Sequence, residues 1–412
     1  MANGRFLPGD PVPWFRAASP SNPQYDFSSA AGRFIVLCFF GSAADPVARS
    51  ALDLVIRNRE IFDDSKLCFF GISIDPADAA EQRVRQMIPG IRLFWDFDRA
   101  ICRRYGLFAD NDALRRCWLV LDPMLRVVAQ AGLSEGEAII RYLRELPPVE
   151  AHAGVEMLAP VLVLPRVFER ELCRHLIDLY EKHGGEESGF MREVDGRTVA
   201  VRDNAFKSRA DYTIDDEALR QELRQRIITR LVPEVQKAFQ FKVTRMERYI
   251  VARYDAETQG KFLPHRDNTT KGTAHRRFAV SINLNAEEYA GGDLRFPEFG
   301  SRTYRAPTGG AVVFSCSLLH EVTPMTAGRR YTFLPFMYDE EGARIREQNN
   351  RFLGDGVGVY RSGLGQDQQQ PAAAADGQQS GDAAAAAGQQ PGDAATAATA
   401  ATAVAAGASA DR

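Results

Sequence analysis

Two kinds of apolar patterning divide this chain. Near its start, Phe34-Ile35-Val36-Leu37-Cys38-Phe39-Phe40 and Leu67-Cys68-Phe69-Phe70-Gly71-Ile72-Ser73-Ile74 are nearly unbroken apolar runs, the pattern of strands buried on both faces. A helix is predicted between them over about 46–62. Asp45 is a good N-cap, and Pro46 stands at the first helical position, where its missing N–H is no loss. Further strands are predicted at about 93–95, 117–121 and 126–130, and helices at about 99–105 and 134–146. The order is β-α-β followed by β-β-α, an α/β domain.

The second half reads differently. Stretches at 278–285, 293–296 and 311–314 are short, β-branched or aromatic, and bounded by Gly-Gly, Pro and Thr-Gly-Gly turns. That is all-β spacing. Phe168, Leu172, Leu176 and Leu179 recur at helical spacing up to about His183, and a second helix is predicted over 216–231, closed by Pro233. The polar, glycine-containing stretch 184–213 reads as a surface connection, with a lid over the site as the rival reading. Pro147-Pro148 ends the last N-terminal helix and stiffens a connector. After about Gly363 the chain turns to Gln, Ala, Gly, Asp and Pro and cannot bury a core. The expected organisation is therefore an α/β domain at 1–148, a linker at 149–160, a β-rich domain at 161–360 and a disordered tail at 361–412.

Composition narrows the function. The formal net charge of −3 over 412 residues argues against a generic polyanion-binding surface, so nucleic acid is not an expected partner. No apolar run reaches membrane-spanning length, and the first residues lack a signal-peptide core, so the expected location is the cytoplasm. The six cysteines are scattered without a Cys-x-x-Cys; Cys38, Cys68 and Cys117 lie inside apolar runs, which suits reduced, buried thiols.

The candidate chemistry centres on His265-Arg266-Asp267, His320 and Arg330. In an extended segment His265 and Asp267 project from one face, where a single metal can take both. His320, in Leu318-Leu319-His320-Glu321-Val322, is a third ligand that a neighbouring strand can bring alongside. Two imidazoles and one carboxylate leave the opposite coordination positions open, as in non-haem Fe(II) oxygenases. Taken alone, His320 would more often be a hydrogen-bonded core residue, and Arg329-Arg330 a solvated pair. A structural zinc site would want a closed shell of four ligands, and no fourth is near in sequence. His275 reads as a surface residue.

From about 160 to 340 the chain resembles the prolyl-4-hydroxylase-like branch of the 2-oxoglutarate/Fe(II)-dependent dioxygenases. His265, Asp267 and His320 fall on that family's ligand positions. Ala290-Gly291-Gly292-Asp293-Leu294-Arg295-Phe296 resembles its Gly-Gly turn and strand, and His320 to Pro324 followed by Gly328-Arg329-Arg330 its distal-histidine segment. The resemblance implies a double-stranded β-helix (jelly roll) with flanking helices, and Fe(II), 2-oxoglutarate and O₂ as cofactor and co-substrates, with L-ascorbate as a candidate reductant. It puts Arg330 on the far carboxylate of 2-oxoglutarate, with Arg329 the rival by one residue, and adds Tyr254 and, with less support, Asn283 as co-substrate contacts. The implied reaction is hydroxylation of a C–H bond, on a prolyl-type protein side chain or a small metabolite, with release of succinate and CO₂. Related halogenases lack the carboxylate ligand, so Asp267 favours hydroxylation.

The first 145 residues resemble a thioredoxin-like peroxiredoxin domain, on Gly9-Asp10-Pro11-Val12-Pro13-Trp14-Phe15 and Leu119-Val120-Leu121-Asp122-Pro123. One departure matters most. Where peroxiredoxins place the peroxidatic cysteine, this chain has Gly41-Ser42-Ala43-Ala44-Asp45-Pro46. Ser42 cannot replace a thiolate in peroxide reduction, so the domain reads as degenerate. Its expected roles are binding a substrate protein, forming a homodimer or stabilising the oxygenase. The competing readings are a non-catalytic adaptor with a relic barrel, and a thiol peroxidase working through Cys38.

Overall fold

The computed structural model describes residues 6–354 and 357–361, and these belong to one compact unit. Beyond Arg361, the segment expected to be a disordered tail lies outside the described residues.

The N-terminal part is a seven-stranded sheet in the order Asn22–Asp26, Arg16–Ser19, Ile91–Trp95, Leu67–Ser73, Phe34–Gly41, Cys117–Leu121, Val127–Gly132. Phe34–Gly41 runs parallel to Leu67–Ser73 and antiparallel to Cys117–Leu121. Every residue of the two central strands is buried. The unbroken apolar runs have a direct cause: side chains alternate between two separate cores. Ile35, Leu37 and Phe39 enter one with Phe27, Phe70 and Phe94, while Phe34, Val36 and Phe40 enter the other with Leu54, Trp118 and Ile139. The predicted helices stand at Pro46–Arg57, Ala100–Arg104 and Gly136–Glu145. Asp45 caps the first, accepting from the N–H groups of Val47 and Ala48.

In the C-terminal part, the larger sheet is built around Ile250–Asp255, Arg329–Phe333, Phe278–Asn283 and Phe336–Tyr338, with Ala311–Ser315 paired to Phe278–Asn283. The smaller sheet runs Lys207–Ser208, Lys261–His265, His320–Val322, Leu294–Arg295, Thr303–Tyr304. Tyr254, Phe262, Phe296, Phe314, Val322 and Phe336 form one core across the two sheets. A second core packs the larger sheet against the helices Arg170–His183 and Glu217–Arg230 through Leu176, Leu223, Ile227 and Val280. The Gly-Gly turn has a steric reason. Gly291 has φ +71°, and a Cβ there would lie 2.3 Å from the Pro324 carbonyl oxygen.

Three expectations need correcting. Pro233 does not end the helical region; it lies in the first turn of a further helix, Val232–Phe239, which tolerates a residue without an N–H. The stretch 184–213 is more than a connection: it holds the hairpin Phe190–Val194/Arg197–Val201 and the strands Lys207–Ser208 and Ala210–Thr213. Phe190–Val194, Thr198 and Lys207 of these strands line a cavity. His275 is not at the surface but 1 % exposed, with Nε2 3.2 Å from Glu247.

The two parts share a packed boundary. Leu319, fully buried, belongs to the core of the N-terminal sheet although it directly precedes His320. Arg266 crosses in the same place: its guanidinium pairs with Glu298 at 2.9 and 3.1 Å, donates to the carbonyls of Ser317 at 2.5 Å and Ser28 at 3.2 Å, and sits 4.4 Å from the Trp14 ring centre. Glu298 also accepts the Leu319 N–H at 3.0 Å. One buried ion pair thus braces the segments around both histidines.

Candidate metal centre

Strand register assembles the site. In the antiparallel pairing of Lys261–His265 with His320–Val322, His265 lies directly opposite His320. Asp267 follows in the turn just past the strand end, rather than on the strand as its spacing suggested. The turn still brings it in: one ligand atom from each of the three side chains lies within 4.8 Å of the others. His265 Nε2 is 3.7 Å from Asp267 Oδ1, and His320 Nε2 is 3.3 Å from Asp267 Oδ2.

Each imidazole is oriented by its own chain. The Nδ1 of His265 is 2.8 Å from the Leu263 carbonyl, and that of His320 is 3.0 Å from the Leu318 carbonyl. A carbonyl only accepts, so each Nδ1 carries the proton and each Nε2 keeps its lone pair for a metal. Phe262 stacks on His265 with ring centres 3.5 Å apart, and Phe314 meets His320 edge-on at 4.6 Å. Burial, with His320 close by, pushes the His265 pKa down to about 3. Burial alone would raise the Asp267 carboxyl, but His320 and His265 hold it well below the usual carboxylate range. A divalent metal needs both imidazoles neutral and the carboxylate ionised, and it would supply the positive charge that the histidines otherwise offer Asp267.

A second register match sets the cation beside the centre. Tyr254 lies opposite Arg330 in the pairing of Ile250–Asp255 with Arg329–Phe333. Arg330 is 2 % exposed and donates to Ser281 Oγ at 2.8 Å and Asn283 Oδ1 at 3.4 Å, with its guanidinium 5.1 Å from the Tyr254 ring centre. Among the described residues its buried Nη1 has no hydrogen-bond partner and its guanidinium forms no ion pair with a carboxylate. Arg329 points the other way, half-exposed and paired with Asp255 at 3.0 Å. Asn283 is occupied holding Arg330 and the Ala306 carbonyl. The Tyr254 hydroxyl accepts from Arg209 at 3.4 Å.

His265, Asp267, His320, Tyr254 and Arg330 line one cavity of about 960 Å³, together with Arg16, Tyr25 and Asp26 from the N-terminal sheet and Phe190 and Glu193 from the hairpin. Arg16 ties the rim together: it is 3.6 Å from Glu193 and donates to the Thr269 carbonyl at 2.7 Å. The sequence reading missed these rim residues, and also Lys207, Arg209 and Arg248. They carry no motif: Lys207 lies on the strand Lys207–Ser208, Arg209 in the link to Ala210–Thr213, and Arg248 between Arg245–Glu247 and Ile250–Asp255, and only the tertiary fold brings them to the cavity.

At the N-terminal helix start the groups that would receive a peroxide are already taken. Ser42 Oγ donates to Asp75 at 2.6 Å, and the Ala43 N–H donates to Asp78, which is fully buried. Cys38 is fully buried, and burial raises its thiol pKa well above the ordinary value. All six cysteines are free and buried.

Comparison with known proteins agrees with this division. Residues 249–338 match the 2OG-Fe(II) oxygenase superfamily, and residues 8–130 match the AhpC/TSA family. A PKHD-type hydroxylase of Cupriavidus metallidurans is 32 % identical over 146 residues, which is 34 % of this chain and 64 % of that protein. The matched region therefore spans just under two thirds of that relative. A Trichoplax adhaerens prolyl hydroxylase, solved with a hypoxia inducible factor peptide fragment, is 16 % identical with a TM-score of 0.34, covering 44 % of this chain and 85 % of its own. The mitochondrial 2-Cys peroxiredoxin of Plasmodium falciparum is 19 % identical with a TM-score of 0.30, covering 36 % and 96 %. The chain thus joins a thioredoxin-like domain, similar to the AhpC/TSA family over residues 8–130, to a jelly-roll domain, similar to the 2OG-Fe(II) oxygenase superfamily over residues 249–338.

Proposed function

We propose that this chain, with its 2OG-Fe(II) oxygenase domain, is an Fe(II)- and 2-oxoglutarate-dependent hydroxylase. The observation that carries the reading is one cavity holding His265, Asp267 and His320 beside a buried guanidinium, Arg330, whose Nη1 is unpartnered. The donor set fits the metal: two neutral imidazole nitrogens and a carboxylate leave positions open. The orphaned Arg330 nitrogen fits a carboxylate, which a planar guanidinium grips with charge and direction together.

His265 and His320 hold Fe(II) through Nε2, and Asp267 through a carboxylate oxygen. When bound, iron with 2-oxoglutarate and O₂ supplies the oxidising power for C–H hydroxylation, with succinate and CO₂ released. Arg330 anchors the far carboxylate of the co-substrate, and Ser281 and Asn283 fix the guanidinium that does so. Phe262 and Phe314 keep water from the imidazoles, which protects their orientation and strengthens local charge interactions. The substrate is a protein side chain of prolyl type or a small metabolite, by analogy with the hydroxylases this chain resembles. L-ascorbate is the reductant we would add to keep the iron ferrous. Six buried, unbridged thiols suit a reducing compartment, and we take the cytoplasm as the site of action. None of the described helices is long and apolar enough to cross a membrane.

The adaptor reading has one observation in its favour, the occupied peroxide position at Ser42 and Ala43. Against it, the N-terminal sheet contributes side chains to the oxygenase cavity itself. The deciding experiment titrates full-length protein with Fe(II) and 2-oxoglutarate under anaerobic conditions. The expected result is one metal per chain, 2-oxoglutarate binding that needs the metal, and loss of both in His265→Ala with an unchanged circular-dichroism spectrum. Protein that binds no Fe(II), or that binds Fe(II) and still takes up no 2-oxoglutarate, would sink the proposal.

A further inference from the structure

The cavity holds more buried positive charge than one co-substrate can neutralise. Beyond Arg330, its wall includes Lys207, Arg209 and Arg248. Lys207 is 3 % exposed, and its Nζ donates only to neutral oxygens, Ser188 Oγ at 2.7 Å and the Gly189 carbonyl at 2.6 Å. Arg209 is 8 % exposed; it pairs with Asp211 at 2.7 Å, while its buried Nε has no partner. Arg248, whose side chain is 32 % exposed, makes no hydrogen bond among the described residues. Its contacts are the same Asp211 carboxylate at 3.7 Å and the Phe336 ring, whose centre is 5.5 Å away. Glu247, next in sequence, is already engaged by Arg276 at 2.7 Å, His275 at 3.2 Å and Arg346 at 2.6 Å. Arg209 and Arg248 therefore share one carboxylate, and Lys207 has none within ion-pair distance among the described residues.

Such an arrangement is costly for the buried Lys207 and Arg209, since a buried charge without its own counter-ion loses solvation that nothing nearby replaces. The backbone adds to it: Arg248 has φ +69°, a left-handed conformation that disfavours a residue with a Cβ. Burial and the neighbouring Arg209 also lower the Arg248 pKa to about 10, and Lys207 falls well below its ordinary value for the same two reasons. An arriving anion would relieve both.

We infer that Arg248, backed by Arg209 and Lys207, is a second anion subsite, and that it receives a carboxylate of the molecule to be hydroxylated. The substrate class is thus acidic. This rests on the oxygenase reading, in which Arg330 is committed to the co-substrate. One wall then binds each acid, and the substrate's carboxylate fixes which C–H bond faces the metal.

Inorganic sulfate tests the subsite directly. Full-length protein loaded with Mn(II), which does not turn over, is titrated with sulfate by calorimetry, with and without saturating 2-oxoglutarate. We expect sulfate to bind in both conditions, and Arg248→Gln to weaken it at least about tenfold, the scale of one charge-assisted contact. In that variant 2-oxoglutarate affinity should stay within about twofold; Arg248→Lys should retain part of the sulfate affinity, which a purely structural role would not predict. Displacement of sulfate by N-acetylglycine marks a small free acid as the source, and displacement by a blocked Gly-Glu-Gly peptide but not by its Gly-Gln-Gly counterpart marks an acidic peptide. Sulfate binding unchanged in Arg248→Gln, sulfate expelled by 2-oxoglutarate, or sulfate displaced by neither carboxylate probe would overturn the inference. Sulfate binding at Arg248 in a protein that takes no 2-oxoglutarate would instead remove the oxygenase reading and leave the anion site standing.

Discussion

Replacing Arg266 by methionine should destabilise the protein and loosen the metal centre together. The side chains of Arg266 and Glu298 are 3 % and 8 % exposed, so their ion pair is shielded from solvent. Arg266→Met leaves the Glu298 carboxylate buried with the Leu319 N–H as its remaining donor. Breaking a buried pair from one side costs about 3–5 kcal/mol, chiefly because the abandoned charge has no solvent. The carbonyls of Ser317 and Ser28 lose a charged donor, and Trp14 loses its cation, worth about 0.5–2 kcal/mol more. These losses overlap, so about 4 kcal/mol is the expected total, a large part of the 5–15 kcal/mol that typically stabilises a domain, roughly. Urea unfolding followed by fluorescence measures it, because Trp14 reports on this contact. The double variant Arg266→Met with Glu298→Leu should recover most of the stability, since it removes the stranded charge. It should not recover metal affinity, because the Glu298 bond to the Leu319 N–H, beside His320, is gone. A loss below about 1 kcal/mol in Arg266→Met, with Mn(II) affinity unchanged, would refute the reasoning.

Other consequences are as direct. Arg330→Ala should weaken 2-oxoglutarate binding by at least about tenfold, whereas Arg329→Ala, which removes a half-exposed side chain paired to Asp255, should leave it within about twofold in the same titration. Leu319→Ala should cost about 2–5 kcal/mol in urea, because the cavity opens in the core of the N-terminal sheet; a cost near zero would mean the two parts do not share that core. Gly32→Ala should destabilise by more than about 1 kcal/mol: φ is +88°, and the new Cβ would meet Pro297 Cβ at 2.3 Å across the boundary. An aromatic disulfide reagent at pH 8.5 should label no cysteine in native protein and six after denaturation. A free thiol would be about half ionised there, but burial raises Cys68, Cys117 and Cys173 to about 12, so the reactive thiolate forms only well above that pH. Rapid labelling of Cys38 in native protein would count against its burial.

Much of this protein is written locally. Two strands buried on both faces must be apolar at every position, and Phe34 to Phe40 are; a helix start wants a cap and tolerates proline, and Asp45-Pro46 supplies both. His265, Asp267, His320 and Arg330 could be picked out as candidates because metal ligands and anion anchors are specific residue types, and the structure gathers the first three within 4.8 Å of one another in one cavity with Arg330. What the sequence could not express was proximity. Register put His265 against His320 and Tyr254 against Arg330, and inward-facing alternation separated Arg330 from Arg329. The sequence alone likewise presented Leu319 as part of a metal-ligand segment and His275 as a surface residue. Packing made one a core residue of the other domain and buried the second against Glu247. Above all, the cluster of cations near Asp211 exists only once the segments carrying Lys207, Arg209 and Arg248 are folded onto the wall of one cavity. A charge scattered along a chain is solvated and costs little, whereas the same charges enclosed in one cavity call for a partner.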